Sequence, residues 1–170
     1  MILNIAQQAL QREGEAQLNL MERSAILALC KITCVSKDLC QEHIPLIFGL
    51  LMKQNLDKVT RANIIVSVGD IYQRHANTVE DQVKKLYQIL HETTEDSVLV
   101  RRQALLVIIH LILNGMLKLR GEIVDILMLL LDPDEQIRNQ VMLFLSEVNA
   151  KDSNLIYNLF PKAIHRLSIE

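Results

Sequence analysis

The stretch Arg61-Ala62-Asn63-Ile64-Ile65-Val66-Ser67-Val68-Gly69-Asp70-Ile71-Tyr72 decides the fold. Ile64, Ile65, Val68, Ile71 and Tyr72 fall at i, i+1, i+4, i+7 and i+8, one face of an α-helix. The same spacing returns 40 residues later as Ala104, Leu105, Ile108, Leu111 and Ile112, and 37 residues after that as Val141, Met142, Leu145, Val148 and Asn149. It also stands 38 residues earlier as Ile26, Leu27, Cys30, Thr33 and Cys34. An arginine precedes each block by three: Arg23, Arg61, Arg101 and Arg138.

A second helical face alternates with the first. Val79, Val83, Leu86, Tyr87 and Leu90 keep the spacing i, i+4, i+7, i+8, i+11. It recurs as Cys40, Ile44, Ile47, Phe48, Leu51, as Leu119, Ile123, Ile126, Leu127, Leu130, and as Ile156, Phe160, Ala163, Ile164, Leu167. A weaker copy opens the chain at Ile2, Ala6, Ala9 and Leu10, with Glu13 at the fifth position. Apolar residues off the main face (Leu106, Val107, Ile109) predict helices covered on more than one side.

This pattern predicts an all-α fold: an α-solenoid of HEAT-like two-helix repeats, about four and a half repeats and nine helices. Residues 1–170 form a single array. The terminal helices lack a distinctly polar outer face, so the array is expected to be part of a larger subunit or covered by a partner. Ser36 is the expected cap of the helix starting near Lys37. Asn77 with Glu80 reads as a capping box, Asp132-Pro133 as a cap followed by a first-turn proline, and Asp152-Ser153 as the start of the last helix.

Composition excludes several classes. Of 170 residues, 50% are apolar, too many for a disordered chain. Only five Gly and three Pro occur, which argues against a loop-rich or all-β fold. Eighteen Lys and Arg against 20 Asp and Glu give a charge of −2, so this is not a strongly basic nucleic-acid module. No apolar run approaches the ~18 residues of a membrane span. Three cysteines and no signal-peptide pattern at Met1 to Leu10 point to a reduced compartment, cytosol or nucleus.

Candidate chemistry is sparse. Cys30, Cys34, Cys40 and His43 are spaced C-x3-C-x5-C-x2-H, unlike usual zinc sites, and the three cysteines fall on core positions of the repeat. Arg23, Arg61, Arg101 and Arg138 could form a nucleic-acid stripe. Three of them follow an acid (Asp57, Asp96, Asp134) in a phase that suits ion-paired ladders between stacked repeats. Lys84, Lys85, Arg102, Lys118, Arg120, Lys162 and Arg166 lie off the core positions; on one surface they would bind phosphate without reading bases. Interspersed acids favour an ordinary solvated surface. No G-x-S-x-G, H-E-x-x-H or phosphate-binding glycine loop occurs. His-Glu occurs once, at His91-Glu92, too few for a di-iron HEAT hydroxylase, and without Trp a HEAT-type glycosylase groove lacks its aromatics. His110 reads as a hydrogen-bonded, semi-buried side chain and Asp70 as a buried polar contact. No catalytic, metal or cofactor site, and no small-molecule substrate, is expected.

Four stretches carry a family resemblance. They are Leu27 to Ile32 running on to Glu42-His43-Ile44-Pro45-Leu46-Ile47-Phe48; Arg61 to Ile65 leading to Gly69-Asp70-Ile71; His110-Leu111-Ile112-Leu113-Asn114-Gly115-Met116-Leu117-Lys118-Leu119-Arg120-Gly121; and Ile156 to Pro161 with Arg166-Leu167-Ser168. Together they resemble the C-terminal HEAT-repeat region of the chromosome-condensation subunit 1 family, the non-SMC regulatory subunit of condensin, and the ending resembles the condensin I type. Ala76 departs from the family's tendency to Pro before Asn77.

The resemblance implies a non-enzymatic subunit that docks on SMC ATPases and a kleisin and helps condensin engage double-stranded DNA or chromatin in mitotic condensation. The implied location is the nucleus and chromosome, with a cytoplasmic pool. Lys118, Arg120, Arg102, Lys84 and Lys85 are the expected DNA-backbone contacts. The generic repeat alone leaves open a cytosolic scaffold for vesicle coats, nuclear transport or phosphatase assembly.

Overall fold

The computed structural model describes residues 1–11, 18–53, 55–94, 97–118, 122–151, 161, 164 and 165. Among them there are seven α-helices, one 3₁₀ turn and no strand. The helices are α1 (Ile2–Gln11), α2 (Leu20–Thr33), α3 (Lys37–Leu51), α4 (Lys58–Leu90), α5 (Ser97–Leu113), α6 (Ile123–Met128) and α7 (Glu135–Lys151). The 3₁₀ turn, Leu129–Leu131, continues α6.

The two alternating faces become one core. Ile64, Ile65, Val68 and Ile71 are fully buried, as are Ala104, Leu105, Ile108 and Leu111. On the second face Val79, Val83, Leu86, Tyr87 and Leu90 are buried, and so are Cys40, Ile44, Ile47, Phe48 and Leu51. Each large aliphatic or aromatic side chain so placed contributes about 1.5–3 kcal/mol relative to exposure. A single apolar cluster runs from Ala6 to Val148. Helices touch their neighbours and next neighbours in sequence: α1 packs on α2 and α3, α2 on α4, α4 on α5 and α6, and α5 on α7. That arrangement is compatible with an α-solenoid, where neighbouring units share the core that one pair cannot close.

Of the nine helices expected, two are joined across a kink within α4, and the ninth falls outside the described residues. No turn separates the two faces within Lys58–Leu90; the backbone departs from helical values at His75 (φ −132°, ψ 43°) and then resumes. No glycine or proline lies between Asp70 and Val79, and Ala76 keeps the amide that a proline would lack. His75 Nε2–H donates to the Cys34 carbonyl at 3.2 Å, which ties this kink to the end of α2. Asn77, expected to cap a new helix, therefore sits inside α4. The expected helix over Leu119 to Leu130 is shorter, beginning at Ile123 and ending in the 3₁₀ turn; Leu119 lies outside the described residues. The expected ninth helix, with its start at Asp152-Ser153, also lies outside them save for residues 161, 164 and 165, as does Glu13. In the last copy of the first face Val141 and Val148 are buried, whereas Met142 and Asn149 are exposed.

Four helix starts, those of α2, α3, α4 and α7, are set by side-chain caps. Ser36 Oγ accepts from the Leu39 amide at 3.2 Å, as expected. Asn19 and Glu22 form a reciprocal capping box at α2, with bonds of 2.8 and 2.9 Å. Asp57 accepts from the Thr60 amide at 3.0 Å to open α4. At α7 the cap is displaced: Asp134, not Asp132, accepts from the Ile137 amide (3.0 Å), and Pro133 precedes the helix. Asp132 is instead buried against Arg101.

Candidate functional site

Four ion pairs join an arginine of α2, α4 or α5 to an acid about one repeat further along. Arg23 reaches Asp57 at 3.6 Å. Arg61 grips Glu92 with both terminal nitrogens, at 2.9 and 2.6 Å, while its Nε donates to the Leu51 carbonyl at 2.9 Å. Arg101 binds both oxygens of Asp132, and Arg102 binds both oxygens of Asp134. Arg138 donates to the carbonyls of Asp132 (2.7 Å) and Pro133 (2.9 Å). Asp57 thus takes the repeat arginine Arg23, as the phase anticipated, whereas Asp134 takes Arg102, which lies off the repeat's arginine position. Arg61 takes Glu92, and Asp96 lies outside the described residues. Forked guanidinium–carboxylate geometry fixes distance and rotation together, so these pairs set how one helix pair sits on the next.

The basic residues expected to meet DNA are sorted by this packing. Arg102 is held by Asp134, and the pair drives the Asp134 carboxyl below the usual carboxylate range, with help from the Ile137 and Gln136 amides. The same contact raises Arg102. Lys85 lies over the Phe48 ring, its ammonium 5.7 Å from the centroid, so α3 and α4 share it. Arg120 lies outside the described residues, as do Lys162 and Arg166. Lys84 and Lys118 are both exposed and face the same cleft.

That cleft lies between the second half of α4 and the connection from α5 to α6. Glu80, Val83, Lys84 and Tyr87 line one wall, at i, i+3, i+4 and i+7 of α4. Leu117, Lys118 and Glu122 line the other. α5 ends at Leu113 and α6 begins at Ile123, and the most recognisable motif of the sequence, His110 to Gly121, falls largely between them. Gly115 launches the connection. Its φ of +69° is left-handed, its amide donates to Ile112 O, and the Met116 amide donates to Leu111 O, both at 2.9 Å. This pairing closes the end of α5 and turns the chain away from the helix axis. Tyr72 Oη then donates to Met116 O at 3.5 Å.

Tyr87 forms the floor of the cleft and is 8% exposed. Its hydroxyl has no hydrogen-bond partner among the described residues. Burial raises its pKa most, and the carboxylates of Glu122 and Asp125 raise it further, so it remains a neutral donor. Repeat spacing did not single out Tyr87 as a site residue, because it occupies a core position.

The remaining candidates fall elsewhere. Cys30 and Cys40 are buried and Cys34 half-buried, all as free thiols, and burial pushes Cys30 up to about 12. His43 is buried beside that core. Among the described residues no group of three or more His, Cys, Asp or Glu is placed to hold a metal ion. His110 is exposed rather than semi-buried; its Nε2 lies 3.0 Å from Gln73 Nε2. Asp70 is exposed too, because the sixth position after Ile64 points outward on α4. His91 pairs with Asp125 at 3.3 Å when protonated. No helix of the described residues is long and apolar enough to cross a membrane.

Comparison with known proteins gives one family. Residues 59–170, about two-thirds of the chain, match the family described as non-SMC mitotic condensation complex subunit 1. Condensin complex subunit 1 of Xenopus laevis is 38% identical over 144 residues, 85% of this chain and 10% of that protein. The Homo sapiens protein of the same description is 36% identical over 148 residues, 87% of this chain and 10% of its own length. That of Saccharomyces cerevisiae is 32% identical over 149 residues, covering 88% and 12%. The chain thus spans about a tenth of the length of the relatives it matches.

Proposed function

This chain belongs to the family of non-SMC mitotic condensation complex subunit 1, and from that premise we propose that it is a non-catalytic HEAT-repeat scaffold of condensin. Its two-helix units, about four and a half of them, present side chains to SMC ATPase subunits and a kleisin during mitotic chromosome condensation, in the nucleus and on chromosomes. The ATPase chemistry belongs to the SMC partners. The observation that supports this reading is the coincidence of two registers. The stretch matched to the family, residues 59–170, contains the inter-unit pairs of Arg61, Arg101 and Arg102 and the long 114–122 connection. A stacked array held in fixed register offers a long surface suited to holding other chains.

Duplex DNA is the second reading, favoured by one observation: Lys84 and Lys118, distant in sequence, meet at one cleft. Such contacts would be to the phosphate backbone and sensitive to salt.

The test of the first reading is affinity purification of the tagged full gene product from mitotic cells, with mass spectrometry of the recovered chains. Two SMC ATPases and a kleisin in near-equal amounts are expected. Coat, transport or phosphatase proteins in their place would overturn it.

A further inference from the structure

The first helix of each repeat unit carries an outer face that the core does not use. On α4, α5 and α7, all three described from end to end, this face is read at i, i+4 and i+7. Its positions are equivalent from unit to unit, so they make rows across the array. One row starts with Val59 and Leu99 and ends in Gln136. A second holds Val66, Leu106 and Leu143. The five aliphatic side chains are 41% to 66% exposed. Between these rows runs a third made of amides, Asn63, Gln103 and Gln140.

The fold leaves these amides idle. None of the three side chains is hydrogen-bonded to another described residue, and Gln140 Oε1 is shut off from water without a partner. Gln140 as a whole is only half-buried, so its amide can turn to meet a donor from outside. Other amides of the chain have internal work: Asn19 caps α2, and Asn114 donates to the His110 carbonyl at 2.7 Å.

The chemistry of the rows selects an occupant. A side-chain amide donates and accepts, and so does a peptide group. A partner α-helix keeps its own backbone groups bonded internally and would leave the amides unmet. Duplex DNA needs cations, and no row holds a charged side chain; Arg102, next to Gln103 in sequence, is committed to Asp134. An extended polypeptide has open backbone groups and an apolar side chain for each flanking row. Spacing then selects its form. α4 packs on α5 and α5 on α7, and a Cβ on Gly69 would stand 3.0 Å from Val107, so these helices are in direct contact. Helices so packed lie about 8–10 Å apart. A β-strand repeats its face every two residues, about 7 Å. Polyproline II repeats every three, about 9 Å, and makes no hydrogen bonds of its own. It alone brings an equivalent backbone group to each helix in turn.

We infer that this face binds an uncharged segment of a protein partner in polyproline II form, with an aliphatic residue at every third position and its backbone held by Asn63, Gln103 and Gln140. The inference rests on the scaffold reading above and narrows it to one surface and one ligand conformation.

Fluorescence anisotropy on the full-length protein tests it. The labelled probes are a nonapeptide of Leu-Ser-Pro repeated three times, the same nine residues reordered with leucine at every second position, an amphipathic helical peptide with a leucine face, and a short duplex. The first should bind best. Asn63→Ala combined with Gln103→Ala, neither position buried, should weaken it about tenfold, the loss of two hydrogen bonds, with circular dichroism and melting unchanged. Leu106→Ser should weaken it comparably. No binding of the first peptide, or equal binding to the double variant, overturns the inference. Equal or tighter binding of the reordered peptide overturns the polyproline II form. Tighter binding of the helical peptide or the duplex, reduced by Leu106→Ser, assigns the face to that ligand instead. Co-purification of SMC and kleisin chains with the wild-type protein is scored separately. Its absence removes the scaffold reading, whereas its presence with no peptide binding removes only this surface.

Discussion

Arg61 and Glu92 close a two-pronged ion pair across 31 residues of sequence, with side chains only 4% and 9% exposed. The third nitrogen of the same guanidinium is bonded to the Leu51 carbonyl at 2.9 Å, so one side chain at the start of α4 links the end of α3 to the turn just past the end of α4.

Arg61→Ala leaves a buried carboxylate without its cation and should cost roughly 3–5 kcal/mol. Arg61→Lys should recover little, because an ammonium cannot make the fork or reach Leu51 as well. The analogous Arg23→Ala should cost at most about 1 kcal/mol, since that pair is longer and Arg23 is 40% exposed. Urea unfolding followed by far-UV circular dichroism ranks the three. Equal losses at positions 23 and 61 would contradict this account.

The Arg102–Asp134 pair gives a pH dependence. Hydrogen bonds from Arg102 hold the folded Asp134 carboxyl below its unfolded value. Its stabilising contribution is therefore complete above the unfolded value, near about 3.9, and is lost as pH falls through the lower folded value. Arg102→Ala should raise the Asp134 midpoint in an NMR titration. The stability gap between variant and wild type should shrink below about pH 4. An unmoved midpoint would refute the pairing.

Gly115 is a backbone requirement, not a packing one. A Cβ there would meet nothing within 4 Å, yet φ is +69°. Gly115→Ala should cost about 1–2 kcal/mol, and Gly115→Asn, although larger, should cost less. Thermal melts decide the order; a penalty that rises with side-chain volume would show that the space is not open.

Thiol labelling separates the three cysteines. Cys34 is half-buried while Cys30 and Cys40 are buried, and burial raises the Cys30 thiol to about 12. Iodoacetamide on the native protein should modify Cys34 first and spare Cys30, with all three reacting in urea. Mass spectrometry of peptides reads the order, and early loss of Cys30 would mean that α2 opens readily.

Much of the core was legible because helical period is a property of burial itself. Every member of the faces starting at Ile64, Ala104, Cys40 and Val79 is buried, and Ile108→Asp should therefore unfold the array at a cost of several kcal/mol. Element boundaries were less legible. Asn77 has the right neighbours for a cap, but a cap also needs the chain to leave the helix, and no residue near His75 enforces that. Arginine phase announced pairs between units but could not choose between acids one turn apart, as Glu92 shows. The cleft was hidden for a different reason. Tyr87 has the spacing of a core residue, and Lys84 and Lys118 are related only through a connection whose path no periodicity encodes.

The continuous run of α4 through His75 has a mechanical consequence. One helix pair is joined by a bent rod, latched to Cys34, while the next is joined by the 114–122 span. Pulled or twisted along its length, such an array does not deform evenly. The bent rod behaves as a stiff elbow that carries a displacement of one half of α4 to the other and, through His75, to the end of α2.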